Sequence, residues 1–431
     1  MRPDSRESGI GNGEWGRRDF RRPILAALLA TLWLFACVVC AHAQAPGEAV
    51  SVASPVSDPR SQPSVSLLTI GPGEIFFERF GHNAIVVRDP ASGRAVAYNY
   101  GIFDFDQQDF LLNFARGRMR YRMAVDELED DLDMYREERR EIVEQRLALT
   151  PEQAHDLVAF LEWNAQPENA QYHYDYFEAN CSTRVRDALD RALGGALHAQ
   201  SEGRSRGYTY RLDALRLMAP EPVLMLLIDL GLGPYADQRI DFWQESFVPA
   251  TLVDVVAGAD NGGAPLAAPP VTLARGEVEP SPVLPPDLRW PFLGLGIALG
   301  AILHALGGSA RASRRVPFAT FALLFELFCG IGGLLLLFLW FGTEHRAAWR
   351  NENLLLLNPL CLALLPAWFA VARGRMRDRP LARALAWVVV ATAAFALFSK
   401  ILSTFAQANL HWIVLFLPIH LALALRLRRA A

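Results

Sequence analysis

Apolar and polar residues follow two different regimes along this chain. From Trp290 onward, five apolar stretches succeed one another at about 291–307, 317–341, 353–372, 381–399 and 410–425. A helix crossing a bilayer needs ~20 apolar residues, within a range of ~17–25, so each stretch reads as a span. Before Trp290 the periods are shorter. "HNAIVVRD" (82–89) is rich in Ile and Val and reads as a strand. "DPASG" is a turn marked by Pro90 and Gly93, and "RAVAYNYG" (94–101) is the returning strand of a hairpin. "AVDELEDDLDMYREERR" (124–140) is expected to be a helix whose acidic run, 126–133, forms a solvated face. "EIVEQRLALT" (141–150) is expected to be a strand. "TPEQAHDLVAFLEWN" (150–164) carries a helix start, with Thr150 as N-cap, Pro151 in the first turn and Gln153 closing a capping box. "NCSTRVRDALDRALGG" (180–195) places Val185, Ala188, Leu189, Ala192 and Leu193 at helical spacing. Asn180 is its N-cap and Gly194–Gly195 end it.

The segments between these elements set the organisation. Arginines at 17, 18, 21 and 22 precede an apolar run at 23–40 and the small residues Ala41 and Ala43. Residues 1–43 read as a secretory signal peptide, and 44–64 as a flexible lead-in. Residues 65–256 form a mixed α+β domain, 257–289 a Pro/Gly-rich linker, and 290–426 an all-α domain of five spans. The basic segments 307–315, 373–380 and 426–431 alternate with the less basic loops 342–353 and 400–409. Arginine-rich loops stay in the cytoplasm. This predicts a multi-pass protein of the bacterial inner membrane with its N-terminal domain in the periplasm. Glu326 and His420 lie inside spans, and ionisable residues there are functional candidates. Loop 344–353 gathers His345, Asn351 and Asn353 at the membrane surface. It reads either as an interfacial belt with helix caps or as a head-group site facing the soluble domain.

Charge adds little: a net charge of −4 suggests no nucleic-acid partner. Cysteine adds more. Of five cysteines, Cys37 and Cys40 lie in the signal, and Cys329 and Cys361 lie in spans. Cys181 is therefore alone in the soluble region, in a compartment where thiols are usually paired. It stands on the first turn of its helix, among Asn180, Ser182 and Thr183. Free N–H groups at a helix start lower a thiol pKa from ~8.5 and can hold an oxyanion. Cys181 is thus a candidate nucleophile, with the backbone at Ser182 and Thr183 as candidate oxyanion donors. His82, taken alone, reads as a structural histidine.

"FGHNAIVVRD" followed by "FEANCSTRVRD", with "EHRAAWRNENLLLLNPL" in the membrane half, resembles the Lnb-type lipoprotein N-acyltransferase family. The order of histidine before cysteine also resembles permuted papain-like folds of the lecithin:retinol acyltransferase group. The resemblance implies a permuted papain-like periplasmic domain followed by a five-helix membrane domain. It makes Cys181 the nucleophile, His82 its base and Asn99 the orienting residue, with Tyr98 and Tyr100 facing the other way. The implied reaction moves an acyl chain from a phospholipid, through a Cys181 thioester, to the N-terminal amine of a diacylglyceryl lipoprotein. No cofactor and no metal are implied. The alternative enzyme is a papain-like cysteine peptidase or amidase acting on cell-wall peptides. A non-enzymatic membrane scaffold would leave Cys181 and His82 without a role.

Overall fold

The computed structural model describes residues 62–103, 109–307, 309, 311–375 and 379–427. The expected signal, and all but the end of the lead-in, lie outside them. Strand β1 (Ser64–Ile70) begins within the segment expected to be the lead-in. The soluble part is built on an antiparallel sheet of β1, β2 (His82–Arg88), β3 (Ala95–Ile102), β4 (Arg120–Glu127), β5 (Ile142–Arg146), β6 (Gln171–His173) and β7 (Val271–Ala274). Their spatial order is β6-β4-β3-β2-β1-β5-β7.

The β2–β3 hairpin turns where Asp89 accepts from the N–H groups of Ala91 and Ser92, at 2.9 and 3.2 Å. Gly93 supplies the positive φ that the turn requires. The helices of this part are α1 (Phe110–Arg116), α2 (Leu128–Glu137), α3 (Pro151–Ala165), α4 (Cys181–Ala192), α5 (Pro222–Gly231) and α6 (Pro249–Ala257); α3, α4 and α6 pack on one face of the sheet and α2 on the other. Alternate residues of the strands serve different cores. Leu67, Ile85, Tyr98 and Tyr100 pack with Leu157 and Leu161 of α3 and Val185 and Leu189 of α4. Leu68, Ala84, Val86 and Ala97 pack with Leu128, Leu132 and Tyr135 on the other face.

Three expectations are corrected. The helix expected over 124–140 begins at Leu128, because Ala124–Glu127 pair with β3 as part of β4. The acidic run is not wholly solvated: Asp131 is buried, turned towards β3. The linker 257–289 contributes β7, which pairs with β5 and closes that edge of the sheet. Pro and Gly hid the short alternating "VTLA" between them.

The C-terminal half is helical: α7 (Arg289–Leu306), α8 (Ala312–Gly342), α9 (Leu365–Ala372), α10 (Pro380–Ser399) and α11 (Leu410–Leu427). Four of these helices are long and apolar enough to cross a membrane, or five spans result if a bent pair counts as one. That pair corrects the third expected span. Instead of one helix over 353–372 there are 3₁₀ turns at Glu352–Leu355 and Pro359–Leu364, then α9, bent by 45° at the break. Pro359 removes an N–H and Asn358 caps the following turn through the Leu360 N–H, at 3.0 Å. Glycines of α8 make room for the break. A Cβ at Gly333 would stand 2.1 Å from the Leu357 carbonyl oxygen, and one at Gly330 2.4 Å from Leu362.

Candidate active site

The hairpin brings His82 and Asn99 together. Asn99 pairs with Ala84, and His82, two residues earlier, shares its face. Such diagonal neighbours lie within reach of long side chains. His82 Nε2 and Asn99 Oδ1 are 3.0 Å apart. The Asn99 amide nitrogen donates to Asp131 Oδ2 at 2.7 Å and to Asp126 Oδ2 at 3.1 Å. Two carboxylates on the nitrogen side fix the amide orientation, so its oxygen faces the ring and only accepts. His82 Nε2 must therefore carry the proton and donate, leaving Nδ1 with its lone pair. Tyr98 and Tyr100 point to the opposite face, into the core under α3 and α4.

Cys181 opens α4, and the local sequence explains its position. The Asn180 side chain accepts from the Thr183 N–H at 2.9 Å, while Thr183 Oγ1 accepts from the Asn180 N–H at 2.8 Å. This is a reciprocal capping box, the kind of cap whose loss costs ~1 kcal/mol. The Asn180 amide nitrogen donates to Phe247 O at 2.8 Å, and Ser182 Oγ donates to Ser246 O at 2.6 Å. The helix start is thereby pinned from behind, and Cys181 is turned towards the strand ends. The backbone N–H groups of Asn83, the residue after His82, and of Ser182 and Cys181 lie near enough to favour its thiolate. On β3, Gly101 has φ +94°, and a Cβ there would stand 3.3 Å from Cys181 Cβ. Glycine is needed at that position both for its backbone and to leave space for the thiol.

Desolvation dominates the electrostatics. It lowers His82 to about 4, against a smaller upward effect of the Asn99 hydrogen bond; Arg140 lowers it further. It raises Asp131 to about 6, opposed by the Asn99 bond. It also pushes the Cys181 thiol up, although three N–H groups and the buried guanidinium of Arg140 favour the thiolate. The expected low thiol pKa is thus corrected: burial outweighs the helix start. Burial thus favours the neutral thiol of Cys181 and the neutral imidazole of His82. The backbone N–H of Thr183 is likewise removed from the expected oxyanion donors, because it is spent on Asn180. Both the Ser182 and Thr183 side chains are buried in structural bonds.

The description of the Lnb N-terminal periplasmic domain matches residues 57–220, and that of the Lnb transmembrane domain matches 292–430. The chain belongs to the Lnb family. No curated protein and no solved structure matches it.

In this Lnb chain the two halves are bonded to one another through loops 343–353 and 400–409. Asn351 donates to the carbonyls of Leu230 and Gly231 at 2.8 and 2.9 Å, and Asn353 donates to that of Leu230 at 3.0 Å. These are last-turn carbonyls of α5, which need partners from outside the helix. Asn351 and Asn353 are therefore buried caps, not exposed head-group ligands. His345 is placed differently. Its Nε2 is 3.0 Å from the Phe114 carbonyl, and its ring stacks on Tyr176 at 5.9 Å. It ends a run of aromatic contacts through Phe77, Phe103, Tyr121, Tyr174 and Tyr176. Beside it a cavity of about 350 Å³ is lined by Asn113, Arg118, Arg120, His173 and Glu344. A buried network completes the joint. Asp229 receives Arg211 Nη1 at 2.6 Å and Trp412 Nε1 at 2.7 Å, and stands 2.5 Å from His411 Nε2.

Sequence reading missed Asp126, Asp131 and Arg140. The acidic run looked like a solvent face, and Arg140 was given no role. The signal that could have found Asp131 is the helix phase: it lies one turn before Tyr135 and next to Leu132, both core residues.

Proposed function

We propose that this chain is a membrane-bound thiol acyltransferase. It moves an acyl chain from a phospholipid to the N-terminal amine of a diacylglyceryl lipoprotein. It would sit in the inner membrane with the soluble domain in the periplasm. The observation that carries this reading is the fixed tautomer of His82, whose Nδ1 is free to act as base on the hairpin edge beside the opening of α4. The docking of that domain on a membrane bundle, through α5 and the 343–353 loop, supports lipid-anchored substrates. Membership in the Lnb family supports lipoprotein modification.

The steps follow from the side chains. His82 Nδ1 takes the Cys181 proton as sulfur attacks the ester carbonyl carbon. The oxyanion is held by backbone N–H groups of Asn83 and Ser182, which lie beside the sulfur and favour negative charge there. Collapse breaks the ester C–O bond, and His82 returns its proton to the departing lysophospholipid oxygen. The acceptor amine then attacks the thioester carbonyl and gives a proton to His82. The C–S bond breaks, and the thiol is restored. Asn99 and Asp131 hold the ring throughout.

The test is mass spectrometry of lipoprotein N-termini from cells carrying the wild-type protein, Cys181→Ala or no protein. The expected result is an N-acyl mass with wild type alone. An N-acyl mass that persists with Cys181→Ala would overturn the thiol route. Release of wall peptides by the purified protein, without lipoprotein acylation, would replace the reading with the amidase one.

A further inference from the structure

Deep in the membrane half, three elements deliver chemistry that acyl transfer does not use. Glu326 and Cys329 stand near the middle of α8, Cys361 on the 3₁₀ turn after the break, and His420 on α11. All four are buried. A carboxylate oxygen of Glu326, the sulfur of Cys361 and a ring nitrogen of His420 lie within 4.8 Å of one another. Cys329 adjoins them, near enough to interact with both Cys361 and His420. Glu326 Oε2 has no hydrogen-bond partner among the described residues. A buried carboxylate oxygen left bare costs several kcal/mol unless something fills the gap, by the order of magnitude expected for unpaired buried charge.

Two further features resemble a metal site rather than a polar core. His420 Nε2 stands 3.1 Å from the Leu356 carbonyl, which can only accept. That nitrogen therefore carries the proton, and the lone pair of Nδ1 is left for the cluster. Metal-bound histidines are oriented in this way, by a carbonyl on the other nitrogen. The carbonyl is available because the third span is broken there, and irregular backbone at membrane depth persists only where protein buries it.

We propose that Glu326, Cys361 and His420 bind one Zn²⁺, with Cys329 beside them as a thiol that supports Cys361 and His420 and the fourth position left to water. Oxygen, sulfur and nitrogen donors together suit zinc and exclude Mg²⁺ and Ca²⁺, which take oxygen. Zinc–ligand distances are ~2.0–2.3 Å, which puts tetrahedral donors ~3.3–3.8 Å apart; side-chain adjustment closes the observed spread to that. Binding displaces the Cys361 thiol proton. The ion is then balanced by one carboxylate and one thiolate, with Cys329 kept as the thiol. A neutral assembly is the form that suits a low-dielectric interior. The site ties the broken span to α8 and α11, and so braces the loop that carries His345, Asn351 and Asn353.

The experiment uses the full chain purified in detergent after growth with added zinc. Elemental analysis is expected to give about one Zn²⁺ per chain. Loading metal-stripped protein with Co²⁺ is expected to give a thiolate-to-cobalt charge-transfer band. Cys361→Ser should abolish the band, and His420→Ala and Glu326→Gln should each lower bound zinc about tenfold or more. Cys329→Ser should weaken zinc binding about 10- to 100-fold, in the range seen for groups that support a metal ligand. If the variants fail to fold, the wild-type protein alone decides. Wild type without zinc and without a cobalt band after loading would overturn the site, as would unchanged zinc in Cys361→Ser.

Discussion

His82 and Asn99 are joined across the β2–β3 hairpin at 3.0 Å, and the joint fixes which ring nitrogen carries the proton. A base whose tautomer depends on one amide should lose rate when that amide is removed. Asn99→Ala is expected to lower kcat by roughly 10²-fold, within the range for a displaced general base, with KM nearly unchanged. Asn99→Asp is expected to keep the acceptor towards His82 but to set a third carboxyl against Asp126 and Asp131. Its activity should therefore improve as pH falls. Single-turnover formation of the acyl-enzyme measures both. Unchanged rates in Asn99→Ala would remove Asn99 from the mechanism.

The neutral pair at Cys181 and His82 makes a second prediction. With the thiol raised by burial, iodoacetamide alkylation of Cys181 should climb about tenfold per pH unit from 6 to 8, as a simple thiolate fraction does. His82 stays neutral down to about 4, so activity should not fall through the usual histidine range near 6.5. His82→Ala is expected to cut activity by ~10²–10⁴-fold while leaving the alkylation curve in place. A fast alkylation plateau between pH 5 and 7 would instead mean a preformed thiolate–imidazolium pair.

Legibility differed from element to element. The helix starts at Thr150 and Asn180 were readable because capping is local, and both capping boxes are present. The hairpin was readable from its turn residues. Asp131 was not, because one strand partner decides whether an acidic helix face meets water or Asn99. The strand at Val271–Ala274 was hidden for the same reason: pairing with β5 is a long-range fact. The break at Asn358–Pro359 lay in plain letters, but hydropathy averages over a window and passes across it. The thiol pKa was misjudged because the sequence shows the helix start and does not show the burial.

Burial pushes the Asp131 carboxyl up to about 6 from its usual 3.8. The folded state therefore binds its proton more tightly, and ionisation costs stability. That cost is complete above pH ~6 and is relieved as pH falls towards 4. Two pKa units correspond to about 3 kcal/mol. Asp131→Asn keeps an acceptor for Asn99 without the charge. It should raise the Tm of the soluble domain at pH 8, and the gain should shrink as pH falls to 4. Thermal unfolding followed across that range decides it: a loss of Tm at every pH would mean that the charge supports the fold.

Asp229 makes the opposite case. Its carboxylate is buried, and burial alone would raise its pKa, but the bonds from His411 and Arg211 hold it below the usual range. Removing it leaves His411 and the Trp412 N–H without their acceptor and Arg211 with Asp237 alone, and breaking a buried charged network costs roughly 3–5 kcal/mol. Asp229→Ala should therefore loosen the soluble domain from the bundle, and protease should cut between 275 and 289 faster than in wild type. An unchanged cleavage rate would show that the Asn351 and Asn353 caps suffice.

The last prediction is topological. The N–H of Glu344 donates to Arg116 O at 2.7 Å, and Gln407 Nε2 donates to Leu232 O at 3.0 Å. Loops 343–353 and 400–409 are therefore on the side of the soluble domain. Helix α7 also leaves from that side, at the end of the segment that carries β7. Each complete crossing then carries the chain to the far side. The ends of α7, α9 and α11 fall there, and in the sequence these run into the segments rich in arginine. By arginine retention that side is expected to be the cytoplasm. The broken span 346–372 must count as one crossing for this to hold, since a re-entrant loop would return 373–380 to the soluble domain's side. Alkaline phosphatase fused after Arg375 should be inactive, and fused after Gln407 active. Activity at Arg375 would make the broken span re-entrant and leave four crossings.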